Sequence, residues 1–380
     1  MLSSVAAFSF LMFPLVILAE KHHLLVSTFS VDSIYSVEFD DESLTMSLIA
    51  NNSAAAAGWI TTNSARTFIY AAAWTSPGQV AAYTLNNNYT ISLLDSIEGC
   101  DASGNPLYVS LLEEQNMILS AESTCSLVYG VDPTNGSFTS QIQVVDYNSS
   151  SFVHGIDPTP NGKFVFAADI DQDAVWGFSV DGNGTLVLGE ITTAPSSSDG
   201  PRHVAFHPNS TYLYVLEQNG CNVDIYSIDN STGALTYTNQ TVATVPSANC
   251  TGYWADEVRL SADASILYAS TRGRESTTDG FVQGYALSSD GGSFIIPSSD
   301  LTTSTTLFSY QTTTSGNSAN AVNPAPSTID VGGKYFVALT DSEIGFLAML
   351  EYYPGNGSMV EVARLSLDDG GCCAASVWLD

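Results

Sequence analysis

Positive charge is what this sequence has least of. Nine Lys and Arg stand against 39 Asp and Glu in 380 residues, a formal net charge of -30. Such a surface repels phosphate backbones and anionic bilayers, which argues against nucleic-acid partners and electrostatic membrane docking. Long hydrophobic runs are also missing, apart from one at the start. That run, Val5 to Leu18, is too short for a comfortable membrane span and is followed by Ala19 and Glu20. It reads as a secretory signal over residues 1–19, although its first residues include no Lys or Arg. No Walker loop, GxGxxG, GxSxG, EF-hand loop or zinc-type spacing occurs, so neither a cofactor nor a metal is expected.

What is present is enough apolar material for a large core. Hydrophobic residues make up 44% of the chain and aromatics 11%, which excludes disorder over most of its length. Ten Asn-x-Ser/Thr sequons, at Asn51, Asn88, Asn135, Asn148, Asn183, Asn209, Asn230, Asn239, Asn249 and Asn356, agree with a secretory route. The expectation is a secreted glycoprotein.

One pattern repeats along the chain. An apolar strand ending in a small or polar residue appears at 22–28, 67–73, 116–122, 163–169, 211–217, 265–271 and 334–340. Six of these copies follow another short apolar strand, at 58–62, 107–112, 152–157, 202–206, 256–260 and 327–331. Asp/Asn/Gly turns such as 132–137, 181–185, 229–233 and 354–358 join the strands beyond. Seven copies at roughly 45–50 residues, four strands each, predict an all-β seven-bladed propeller over residues 20–380. The first copy lacks a preceding strand, and AASVWL (374–379) is left unpaired at the end. The expectation is that it completes the first blade and closes the ring, removing the open edges. Residues 302–323, rich in Ser, Thr and Asn, read as a surface insertion.

Antiparallel order puts the start of each inner strand and the end of each second strand on one face of the disc. His154, Arg202 and Asp256 then lie at inner-strand starts; Asp169, Glu217, Thr271 and Arg272 lie at second-strand ends. Two or three of nine cations therefore meet at one channel mouth beside a carboxylate and an imidazole, a constellation suited to holding an anion and moving a proton. Arg274 and the aromatics Trp74, Tyr253 and Trp254 lie near the same mouth. His203 is expected to alternate away from Arg202 and to pack between blades.

GPRHVAFHPNSTYLYVLEQNG (200–220), FVHGIDPTPNGKFVFAAD upstream and ASTRG (269–273) downstream resemble the lactonase-type seven-bladed propellers. That family includes bacterial 6-phosphogluconolactonases and fungal carboxy-cis,cis-muconate cyclases. The resemblance implies a catalytic set of His154, Arg202, Glu217 and Arg272; by their place at or near the same mouth, Arg274, Asp169, Trp74 and Trp254 are expected as further substrate contacts. Arg274 stands where these families often place a histidine. The implied activity is a cyclase or isomerase acting on a small unsaturated acid. Three alternatives stand beside it: a natural-product cyclase or pericyclase acting on a reactive polyene, a lactone hydrolase, and a non-catalytic binding propeller. The expected partner is a small molecule.

Cys100 and Cys125 flank two strands of one blade on the candidate face, and Cys221 and Cys250 have the same relation, so bridges 100–125 and 221–250 are expected. Adjacent Cys372 and Cys373 are placed to bridge each other at the channel rim.

Overall fold

The computed structural model describes residues 20–101, 104–295, 306–327, 329, 333–367 and 372–380; the expected signal at 1–19 lies outside them. Seven antiparallel sheets form a closed ring. Numbered along the chain, the second to sixth blades begin with inner strands Ala57–Thr62, Tyr108–Leu112, Val153–Pro158, Pro201–Phe206 and Tyr253–Leu260. In the first blade the innermost strand is the last of the chain: Cys372–Trp378 lies beside Lys21–Thr28, pairing Leu24 with Trp378 and Val26 with Ser376. The final residues lock this seam, as the Leu379 amide donates to His23 O at 2.9 Å and the His23 amide to Asp380 Oδ2 at 2.6 Å. Among the described residues no α-helix occurs, and none is long and apolar enough to cross a membrane.

Packing follows from strand alternation. The second and third strands of each blade are buried on both faces, so apolar side chains point toward both neighbouring blades. Among the described residues seven apolar clusters result, one at each blade–blade junction; Phe164, Phe166, Leu213 and Val215 form part of the one between the fourth and fifth blades. Burying such a side chain is worth about 1.5–3 kcal/mol. Tyrosines add directed contacts between blades: Tyr70 Oη donates to Gly136 O at 3.2 Å and Tyr214 Oη to Gly291 O at 2.9 Å. Both acceptors are turn glycines with positive φ, 76° and 85°, a conformation costly for other residues.

One expectation about the late part of the chain, the surface insertion over 302–323, fails where the structure describes it. Residues 302–305 lie outside the described set, but Phe308–Gln311 is an outer strand of the sixth blade, paired with Phe281–Leu287. The polar stretch after it folds back over the channel mouth, where Thr312, Thr314, Ser315 and Asn320 are buried. Its polar side chains are hydrogen-bond partners: Asn320 Nδ2 donates to Thr271 O and Ser315 Oγ to Glu343 Oε2. Polar composition suggested solvent exposure, whereas buried polar atoms satisfied by one another read the same in sequence. This segment also supplies the inner strand Val322–Pro324 of the seventh blade, while residues 328, 330 and 331 of the expected strand 327–331 lie outside the described residues.

Candidate active site

Four inner strands share an irregularity that builds the site. Pairing with the second strand slips by one residue between Ala57 and Trp59, Val153 and Gly155, Pro201 and His203, and Ala255 and Glu257. The residues left out of register are Gly58, His154, Arg202 and Asp256. A bulge bends the strand and breaks the strict alternation of faces, so neighbouring side chains can be aimed together. Three of the four bulged residues carry functional groups, and all four line one cavity of about 200 Å³ at the channel mouth. Phe29, Trp59, Trp74 and Arg272 complete much of its wall.

Asp256 organises the cations. Its Oδ1 lies 3.2 Å from Arg202 Nη2 and 3.0 Å from Arg272 Nε, while Oδ2 accepts the Asn320 amide at 2.9 Å. Arg202 is further fixed by Gln218 Oε1 at 3.0 Å and by the Asp256 carbonyl. Arg272 donates to Asn317 O at 3.0 Å and lies 4.9 Å from the ring centre of Trp254. Two guanidinium groups against one carboxylate leave one positive charge unmatched, a local inversion in a protein of net charge -30.

His154 reaches back into the channel. Its Nδ1 is 3.0 Å from His203 Nε2, and His203 Nδ1 is 3.3 Å from Glu257 Oε2, whose other oxygen is 3.1 Å from Arg259 Nη1. Burial, then the Arg202 charge, holds both imidazoles well below the usual histidine range, so both are neutral near pH 7. Burial pushes the Glu257 carboxyl up, opposed by Arg259 and Arg202. Gly155 makes this closeness possible: a Cβ there would meet Arg202 O at 2.8 Å and His203 Cδ2 at 2.9 Å.

The structure thus brings His154, Arg202 and Arg272 together, with Trp74 on the same cavity wall. Trp74 is held by its Nε1 donating to Pro106 O at 2.8 Å. Glu217 is not part of this cavity. It is fully buried with neither carboxylate oxygen hydrogen-bonded, and the charges that act on it are Asp224, Asp199 and Asp173. Burial first, then those acids, pushes its carboxyl far up. The carboxylate beside the arginines is Asp256 instead. Asp169, expected as a substrate contact, likewise lies outside this cavity, buried with its oxygens accepting from the Phe152 and Gln172 amides and from Trp176 Nε1. Arg274 and Trp254 border an adjacent cavity of about 270 Å³ that shares Arg272.

His203 departs from expectation because the bulge at Arg202 cancels the alternation that would have turned it away. It sits inside the channel against Trp59 and Tyr108, with ring centres at 5.2 and 5.1 Å. His203 and Glu257 were the partners that residue-by-residue reading missed. Their available signal was the pair of polar doublets, Arg202-His203 and Asp256-Glu257, on strands whose one other charged residue is Arg259. The three disulfides are Cys100–Cys125, Cys221–Cys250 and Cys372–Cys373.

Comparison with known proteins agrees with this architecture. The chain is 27% identical to muconate cycloisomerase 1 of Cutaneotrichosporon cutaneum, over 94% of this chain and 98% of the relative. It is 26% identical to carboxy-cis,cis-muconate cyclase of Neurospora crassa, over 94% and 99%. Among solved structures, the periplasmic gluconolactonase of Pseudomonas aeruginosa superposes with a TM-score of 0.78 at 17% identity, over 94% of this chain and 99% of that one. That last likeness speaks for the fold. Residues 23–296 match the family model described as lactonase, 7-bladed beta-propeller, and the chain belongs to that family.

Proposed function

We propose that the protein is a cyclase of the muconate type, interconverting a small unsaturated diacid and its lactone by proton transfer at His154. The observation that carries the reading is a neutral, partly enclosed imidazole beside two guanidinium groups that share one carboxylate. The two relatives named for muconate chemistry, matched along nearly their whole length, support it.

Lactone opening shows the electron flow. The substrate carboxylate is held by the unmatched charge of Arg202 and Arg272. The free His154 nitrogen removes the proton on the carbon next to that carboxylate, and the electron pair moves onto the carboxylate as an enediolate-like charge. As that charge collapses, a carbon–carbon double bond forms and the ring carbon–oxygen bond breaks, releasing a second carboxylate. Ring closure is the reverse, with imidazolium returning the proton. A histidine held well below its usual pKa serves both directions, as a base when neutral and a strong acid when charged. Cations fixed before the substrate arrives stabilise the developing charge. In this scheme the single proton between the two imidazoles lies on His154 Nδ1, with His203 Nε2 accepting it at 3.0 Å, so that the remaining His154 nitrogen is the base that faces substrate.

The test is turnover of cis,cis-muconate, 3-carboxymuconate and gluconolactone in D2O and in ¹⁸O-water, comparing wild type with His154→Gln and Arg202→Gln. Deuterium on the carbon next to the carboxylate, without ¹⁸O uptake, is the expected result. Incorporation of ¹⁸O would mean hydrolysis, and equal turnover by all three proteins would remove the assigned site. Wild-type kcat/KM is expected to stay flat to below pH 6.5. Removing Arg272, whose charge lowers the His154 pKa, moves the acid limb to higher pH.

The same reading makes the protein an exported one. Three disulfides call for an oxidising compartment, and all ten sequon asparagines are exposed. Glycosidase digestion of protein secreted from a eukaryotic host checks this; an unshifted band and retention in the cytosol would refute it.

A further inference from the structure

The larger channel cavity, about 410 Å³, opens at the opposite mouth, where the inner strands end. We propose that it is a second binding site, one that takes a small monocarboxylic acid with its carboxylate between Arg259 and Asp157.

The arginine is fixed in advance. Its guanidinium is held by Glu257 Oε1 at 3.1 Å, by Tyr108 Oη at 3.2 Å and by the face of Trp59 at 5.1 Å, yet the side chain keeps 24% of its surface open. A group ordered before binding loses little entropy when the ligand arrives. Asp157 and Ser376 line the same cavity, and among the described residues Asp157 Oδ2 and Ser376 Oγ are shielded from solvent and have no hydrogen-bond partner. Polar atoms in this state are uncommon, and a cavity wall is where a ligand would satisfy them. The remaining walls, Ile60, Val204, Leu260 and Val377, suit an apolar body.

Charge selects the ligand class. An ammonium would face Arg259, and a phosphate or dicarboxylate would bring a second negative charge against Glu257 and Asp157. A monocarboxylate offers acceptors to Arg259 and to the O–H of protonated Asp157. The titratable groups facing Asp157 are Tyr108 from the third blade and Glu257 and Arg259 from the sixth. Among the described residues, the lining strands of the other blades contribute only Thr, Ser, Asn and apolar side chains. Burial pushes the Asp157 carboxyl up to about 7, with Arg259 and the Tyr108 hydrogen bond opposing. Carboxylate binding is therefore linked to uptake of one proton above that pH.

Calorimetric titration of the intact protein with benzoate tests the site. Affinity should fall about tenfold per pH unit above pH 7, and paired buffers of different ionisation enthalpy should report one proton taken up. Asp157→Asn, whose amide donates at every pH, should bind benzoate with a flat profile from pH 6 to 8.5. Arg259→Lys, which keeps the charge but loses the fork, should weaken binding more than tenfold, while Arg272→Gln at the other mouth should leave it unchanged. Binding that is lost in Arg272→Gln, or that keeps its pH slope in Asp157→Asn, overturns the proposal, as does no heat at all in folded wild type.

Discussion

The two mouths of the channel are made from the two ends of the same inner strands, yet they differ in kind. At the first, bulges at His154, Arg202 and Asp256 take those residues out of the pairing register and aim three polar groups at one cavity. At the second, pairing is regular from Gly155 to Pro158 and from Glu257 to Leu260, and polar groups appear singly among apolar walls. One extra residue in a strand costs a ladder hydrogen bond and yields a clustered site. Where the pleat is regular, alternation disperses such groups, and only Asp157, Tyr108 and Arg259 approach one another.

Substitution of Arg202 should separate the mouths most sharply. Arg202→Gln leaves Asp256 buried with one arginine in place of two, and loss of a partner from a buried pair typically costs about 3–5 kcal/mol. Turnover should fall by roughly a thousandfold, the scale of a preorganised charge removed from a transition state. Benzoate binding at the far mouth should be untouched once thermal melts show the variant folded. Parallel loss at both mouths would mean that the ring, and not the site, has failed.

Next in size is Gly155→Ala. The added methyl meets Arg202 O and His203 Cδ2 inside 3 Å, so the fourth and fifth inner strands must move apart. Overpacking of this kind costs about 1–3 kcal/mol. Denaturant unfolding should show that loss, together with a larger fall in kcat than in substrate affinity, because His203 backs His154. A neutral result would mean that the bulged strands are compliant and that the close approach is incidental.

The far mouth should respond in the opposite direction. A carboxyl moved from 3.8 to about 7 opposes folding above pH 7, and that cost disappears once pH falls low enough to protonate it in both states. The full linked free energy would be about 4 kcal/mol, which water at the channel mouth reduces to about 2. Asp157→Asn should therefore raise stability at pH 8 and change little at pH 4. Equal melting curves at pH 8 would show that the carboxylate is solvated and the second mouth ordinary surface.

Sequence carried the ring further than the site. Seven copies of an apolar second strand and a spare C-terminal strand imply closure, because periodicity survives without coordinates. His154, Arg202 and Arg272 were legible for the same reason: antiparallel order places strand starts and ends on one face. Glu217 was misplaced because a strand end specifies a face but not the direction of the side chain, which here turns among Asp173, Asp199 and Asp224. His203 and Glu257 were hidden by the bulges, since alternation counted from Arg202 or Asp256 gives the wrong side after an inserted residue. The segment around Asn320 was misread because Ser, Thr and Asn have the same composition whether they face water or one another.

The smallest effect belongs to the rim of the first mouth. Trp254 has Arg272 and Arg274 each 4.9 Å from its ring centre. Arg272 keeps Asp256 and Asn317 O without the indole, whereas among the described residues the Arg274 side chain has, beyond its stacking, one hydrogen bond, from Nε to Tyr253 O at 2.8 Å. Trp254→Leu should then cost about 1 kcal/mol of cation–π attraction, read as an approximately fivefold rise in KM with kcat unchanged. Arg274→Gln should add little to it, because without the indole the second arginine no longer has a fixed position from which to meet substrate. If instead kcat collapses as in Arg202→Gln, the indole is what sets the angle of Arg272, and the clustered site extends past the channel into the neighbouring cavity.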